Sequence, residues 1–145
     1  VPLLACACAL PRAWDADRML AAAQRLGSAA VAQVRALQPV LAAGAADDDE
    51  RRLQEINRFF NRRIVFVDDT EAWGQADYWA SPMETLEKGR GDCEDFAIAK
   101  YFSLIATGVP AAKMRLVYVR ATIGGPGGVV QPHMVLAYYA QPAAE

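Results

Sequence analysis

Histidine is almost missing from this chain: His133 is the only one. Together with Cys93 it falls short of the usual His/Cys ligand set, which argues against zinc. Cysteine is sparse and odd in number, at positions 6, 8 and 93. Cys6 and Cys8 are near neighbours on an apolar run and cannot easily bridge each other. No structural disulfide is expected, and Cys93 reads as a free thiol. No apolar run approaches the roughly 20 residues of a membrane span, so stable membrane insertion is not expected. A net charge of −2 gives no electrostatic case for nucleic acid. There is no internal repeat and no Asp-x-Asp-x-Asp-Gly calcium loop. What remains is one domain's worth of chain, 145 residues with 54% hydrophobic content, able to bury a core without disulfide staples.

The sequence is organised around residues 89–101, GRGDCEDFAIAKY. Gly89 and Gly91 make the first half a loop. The second half reads as a helix to about Thr107, stopped by Gly108 and Pro110. Asp92 is a good N-cap, with Glu94 and Asp95 in the first turn. Cys93 therefore sits at a helix entrance, where free backbone N–H groups favour a thiolate and should lower its pKa. The three flanking carboxylates push the other way. A nucleophile here needs something to neutralise that acid cluster: a cation, an arginine or an imidazolium.

Residues 1–10 (VPLLACACAL) divide two ways, between the remnant of a secretory signal and an apolar N-terminal segment tucked on the core. Residues 11–145 read as a single domain. Asp15 or Asp17 caps a first helix to about Leu26. Ser28 caps a second through Val31, Val34 and Leu37, and Pro39 kinks or restarts it. The run from Asp47 to Arg52 is the acidic start of a third helix or, on a sharper reading, an acidic metal site. Ile64 to Val67 is a strand or an extended loop. Residues 71–80, with Trp73, Gln75, Tyr78 and Trp79, suit a loop lining a substrate or partner cleft; a core plug is an equal reading for Trp79. Ser81 and Pro82 start a short helix that ends at Gly89. Residues 114–121 alternate as a strand. Residues 122–132, rich in glycine, form a connection too long for a tight hairpin. A second strand opens with His133, most simply antiparallel to the first. The layout is α+β: N-terminal helices, then a Cys-bearing helix packed on an antiparallel sheet.

A lone histidine at a strand start is usually an ordinary surface or core residue. Topology raises its interest, because a helix that opens with Cys93 and a strand that opens with His133 can set thiol and imidazole side by side. Papain-like chemistry needs that pairing. Asp92 and Glu94 could turn hard oxygens toward one cation, with Asp95 or a loop carbonyl completing the set, and calcium accepts such a site.

These residues bear a family likeness. NRRI at 61–64, VDD at 67–69, WGQADYW at 73–79, GDCEDFAIAKY at 91–101 and HMVL at 133–136 together resemble the bacterial transglutaminase-like cysteine proteinases of the LapG type. The resemblance implies a papain-like, transglutaminase-like fold with Cys93 as nucleophile and His133 as base. It implies a calcium requirement carried by Asp92 and Glu94, with Asp95 added. It further implies a periplasmic protease that cuts a large surface adhesin near its N-terminal anchor, at a di-alanine site, and so controls biofilm attachment. Its implied partner is the periplasmic domain of an inner-membrane cyclic di-GMP receptor. The family places a third triad residue, an Asp, in a strand after the His strand. No Asp or Asn follows His133 here, so the chain is expected to be cut short or to lack that segment. Two other readings stay open: acyl transfer to amines, and a catalytically silent binding module.

Overall fold

A computed structural model describes residues 15–142. Residues 1–10, with Cys6 and Cys8, lie outside them. Helix α1 (Ala16–Leu26) begins where Asp15 Oδ1 accepts the N–H groups of Asp17 and Arg18 at 2.9 and 3.0 Å. Helix α2 (Ser28–Gly44) is capped by Gly27, not by Ser28, whose side chain makes no capping bond. Gly27 has φ of 132°, a region that favours glycine. Nor does Pro39 restart the helix; α2 runs through it. The carbonyl that loses its partner is that of Arg35, and both residues are exposed, so water can satisfy it.

Helix α3 (Asp49–Arg63) carries Asp49 and Glu50 in its first turn and Arg62 and Arg63 in its last, signs that suit the helix dipole. Asp48 Oδ1 caps it through the Arg51 N–H. Asp49 is held by Arg52 and Lys113, so this acidic run is a helix start and not a metal site. Strand β1 (Val65–Phe66) pairs in parallel with β2 (Arg90–Gly91), with Phe66 opposite Gly91. Helix α4 (Asp69–Ala72) follows, then a loop over residues 73–80, then α5 (Pro82–Lys88), which has a full Ser81/Glu84 capping box. Helix α6 (Cys93–Thr107) starts at the Asp92 cap and ends at Gly108 in the left-handed region.

A hairpin closes the domain. Strand β3 (Met114–Ile123) pairs antiparallel with β4 (Val129–Tyr138), Val119 opposite His133. The strands are longer than the sequence predicts, and the connection is only residues 124–128. Gly124, Gly125 and Gly127 take φ between 81° and 94°, which turns the chain within five residues instead of leaving it slack. His133 therefore lies inside a strand, not at its start. Pro132 sits in β4 because even-numbered residues there turn their N–H away from β3. Met134, of the same parity, sends its N–H to Cys93, so Pro132 forfeits no ladder bond.

The core is formed by Val34, Leu37, Ile56, Phe60, Leu86 and Leu104, each no more than 2% exposed. It welds α2, α3, α5 and α6 together, and Leu136 and Tyr138 bring β4 onto the same mass. The architecture is the α+β arrangement expected, with the Cys-bearing helix against the antiparallel hairpin. No helix among the described residues is long and apolar enough to cross a membrane.

Candidate active site

Two pieces of backbone pairing assemble the site. The β1–β2 ladder, with the Val67 N–H donating to the Gly91 carbonyl at 3.0 Å, carries Asp69 alongside the entrance of α6. The outward N–H of Met134 in β4 donates to Cys93 Sγ at 3.3 Å. Cys93 and His133 both line a cavity of about 770 Å³ that runs along the outer edge of β4, between α3 and α6. The sulfur and the strand bearing the histidine are thus brought together from positions 40 residues apart.

Cys93 is a free, half-buried thiol. Its S–H donates to Glu94 Oε2 at 2.7 Å, and the Tyr118 hydroxyl donates to Glu94 Oε1 at 3.4 Å. The expected fall in the Cys93 pKa does not occur. Burial pushes the thiol up to about 11, and the Glu94 carboxylate adds to the rise against a small opposing pull from the Met134 N–H. Burial, joined by the Glu94 carboxylate in direct contact, outweighs the helix entrance. Asp92 is likewise raised, to about 7, first by burial and then by the charge of Glu94. Burial also raises Asp95, opposed by the hydrogen bond it accepts from Ala80. For Glu94 burial raises the pKa, yet the hydrogen bonds it accepts from Cys93 and its neighbours win, and the net shift is downward.

The carboxylates fall into two groups that share Asp92. One is Asp92 with Cys93 and Glu94. The other is Asp69, Asp92 and Asp95, whose oxygens lie within 4.8 Å of one another. The sequence sets Asp92 and Glu94 on one cation with Asp95 added; the structure keeps Asp92 and Glu94 in the first group and joins Asp92 and Asp95 to Asp69 in the second. Asp69 was hidden because only the two-residue β1–β2 register, a long-range pairing, brings it in. The one signal available was the pair of acids immediately after that short β-branched run.

The aromatic loop is not a wall of the cavity: none of Trp73, Gln75, Tyr78 and Trp79 lines it. Trp73 stacks on Tyr78 with ring centres 4.6 Å apart, and its Nε1–H donates to Asp95 Oδ2 at 3.4 Å. That N–H is therefore engaged and is no free donor for an oxyanion. The loop is instead suspended from buried acids. Asp95 accepts the Ala80 N–H at 2.8 Å, and Asp69 accepts the Tyr78 N–H through a short hydrogen bond. Gln75 is exposed, and half-exposed Trp79 leans toward Tyr118 on the hairpin.

A helix that opens on a cysteine, against an antiparallel strand bearing histidine, is the core of the papain-like fold, and comparison with known proteins decides the family. The model of the bacterial transglutaminase-like cysteine proteinases (BTLCP) matches residues 30–138. The chain belongs to this family. Among solved structures, Legionella pneumophila LapG superposes with a TM-score of 0.75 at 32% identity, covering 91% of this chain and 70% of LapG. Its EGTA-treated form gives the same TM-score and identity over 91% and 68%. Its calcium-bound form gives 0.74 at 32% identity over 89% and 68%. No curated protein sequence matches the chain.

The transglutaminase-like proteinase site here has the chemistry to hold a calcium ion. Its donors are hard carboxylate oxygens in an irregular arrangement, which calcium accepts. Asp69 and Asp95 are 5% and 0% exposed, and Asp69 Oδ1 is a buried oxygen with no hydrogen-bond partner. None of the three aspartates forms an ion pair among the described residues.

Proposed function

We propose that this chain is a calcium-dependent cysteine endopeptidase of the periplasm. Its substrate is a large surface adhesin, cut near the N-terminal anchor at a di-alanine site to release attached cells. Its regulator is the periplasmic domain of an inner-membrane cyclic di-GMP receptor. The observation that supports this reading best is the placement of Cys93 and His133 on one cavity, with the sulfur on the backbone of the residue next to the histidine.

In this reading His133 takes the Cys93 proton, and the sulfur attacks the scissile carbonyl. The Cys93 backbone N–H, at the open end of α6, supports the oxyanion of the tetrahedral intermediate. The imidazolium then protonates the leaving amine, and a thioester remains on Cys93. Water, deprotonated by His133, hydrolyses that thioester and restores the thiol. Asp92 and Asp95, with Glu94 or Asp69, would hold the calcium. Bound there, the ion supplies positive charge beside a sulfur that is otherwise surrounded by carboxylates.

One observation favours a second reading, a silent binding module: the Cys93 S–H is spent on Glu94, not on the imidazole. The full-length protein, incubated with calcium and an adhesin N-terminal fragment, separates the two. Protease function predicts a single cut that Cys93→Ala and EGTA each abolish, with fragment binding retained by the Ala variant. Cleavage by the Ala variant at the wild-type rate would remove Cys93 from the mechanism. Binding without cleavage by the wild type would leave the silent module.

A further inference from the structure

The carboxylate that the sequence did not point to is the one with least to do. Asp69 is the first residue of α4 and is 5% exposed. One of its oxygens accepts the Tyr78 N–H; the other, Oδ1, is buried and has no partner. An unsatisfied buried carboxylate oxygen costs free energy. Two further carboxylates, Asp92 and Asp95, each bring an oxygen within 4.8 Å of an Asp69 carboxylate oxygen and of each other. With calcium–oxygen bonds of about 2.3–2.6 Å, two ligands on one ion can stand up to roughly 5 Å apart. The cluster therefore has the span of a single calcium shell, and among the described residues no Lys or Arg is ion-paired with it.

We propose that Asp69 is a direct ligand of the calcium ion, bridging the α4 segment to the entrance of α6. The inference rests on the calcium reading of the site above and adds to it a residue outside the block that flanks the nucleophile. A consequence concerns the loop at 73–80. It hangs from Asp69 through Tyr78 and from Asp95 through Trp73 and Ala80. An ion held by both acids ties the two suspension points of that loop together, so calcium fixes the face bearing Trp79 as well as the catalytic centre.

The test measures calcium binding, not activity. Full-length wild type, Asp69→Asn and Asp68→Asn are titrated with calcium chloride by calorimetry. They are also titrated with terbium chloride, whose emission neighbouring Trp73 can sensitise. The Asn side chain can still accept the Tyr78 N–H, and melting in EGTA checks that the variant is folded. Asp68 is exposed and serves as the control. Asp69→Asn should lose affinity by about 10–100-fold or more, the scale on which even outer-shell groups act, while Asp68→Asn matches wild type. Wild-type affinity in a folded Asp69→Asn protein would overturn the role of Asp69 and leave the calcium reading standing. Failure of the wild type to bind either ion would overturn both. Should the variant not fold, a crystal structure of the calcium-loaded wild type decides. An Asp69 oxygen at about 2.3–2.6 Å from the ion supports the proposal, and one outside that coordination range overturns it.

Discussion

Gly91 gives the sharpest prediction from packing alone. It is buried, and a Cβ built on it would press into the Asp95 carboxylate: onto Oδ2, 2.8 Å from Cβ and 3.0 Å from Cγ. Gly91→Ala therefore forces a choice. If Asp95 stays, the site is overpacked, at a cost of about 1–3 kcal/mol. If Asp95 moves, a fully buried carboxylate gives up the Ala80 and Trp73 hydrogen bonds, at about 1.5–3 kcal/mol each. The cheaper course, with partial relaxation, is about 2 kcal/mol. For a chain of this length that is a fall in Tm of about 4–8 °C. The contrast is Gly89→Ala: φ there is 67° and nothing lies within 4 Å of the added carbon. It should cost only the left-handed backbone preference, about 1–2 kcal/mol. Thermal and urea unfolding in EGTA measure both. A double-mutant cycle isolates the cause, because in an Asp95→Ala background the added methyl has room. Gly91→Ala should then be nearly neutral, with a coupling energy close to its whole single-variant effect. Simple additivity would refute the steric argument.

Two further outcomes follow from the same physical reasoning. Asp49 is held below the ordinary carboxylate range by its hydrogen bonds from Lys113 and Tyr138, against a smaller effect of burial. A lowered folded-state value means its stabilisation is present above the unfolded value and is lost as pH falls through the folded one. The stability margin of wild type over Asp49→Asn should therefore be full at neutral pH and close below about pH 4; a margin that persists in acid would contradict it. Phe60 is fully buried and edge-on to Phe59 at 5.2 Å, so Phe60→Ala should cost about 3–5 kcal/mol in urea unfolding.

Local chemistry was the legible part of this fold. Asp15, Asp48, Ser81 and Asp92 announce helix starts, Gly89 and Gly108 announce ends, and each acts within one turn of itself. The cluster of glycines beyond β3 misled for a related reason. Composition says flexible, but glycines at left-handed φ close a hairpin, so β4 begins at Val129 and His133 falls within it. Pro39 marks a break that α2 ignores, since packing of Val34 and Leu37 outweighs one missing hydrogen bond on the solvent side. In the site, Cys93 and its acids were readable as a block, and so was the contest between helix entrance and carboxylates. Its outcome depended on burial of the thiol and on Glu94 turning back onto it, neither of which spacing reveals. Asp69 was out of reach altogether, because a two-residue parallel ladder places it.

The central claim is that Cys93 and His133 work as a nucleophile and its base. The most direct measurement is the rate of iodoacetamide alkylation of Cys93 against pH, in wild type and His133→Ala, with calcium and with EGTA. With calcium, wild type should react fast at neutral pH and hold that rate below pH 7, as a thiolate–imidazolium pair does. His133→Ala should lose the neutral-pH reactivity, and wild type in EGTA should stay slow, its thiol pushed up to about 11. Alkylation profiles that coincide with and without the imidazole would contradict the claim.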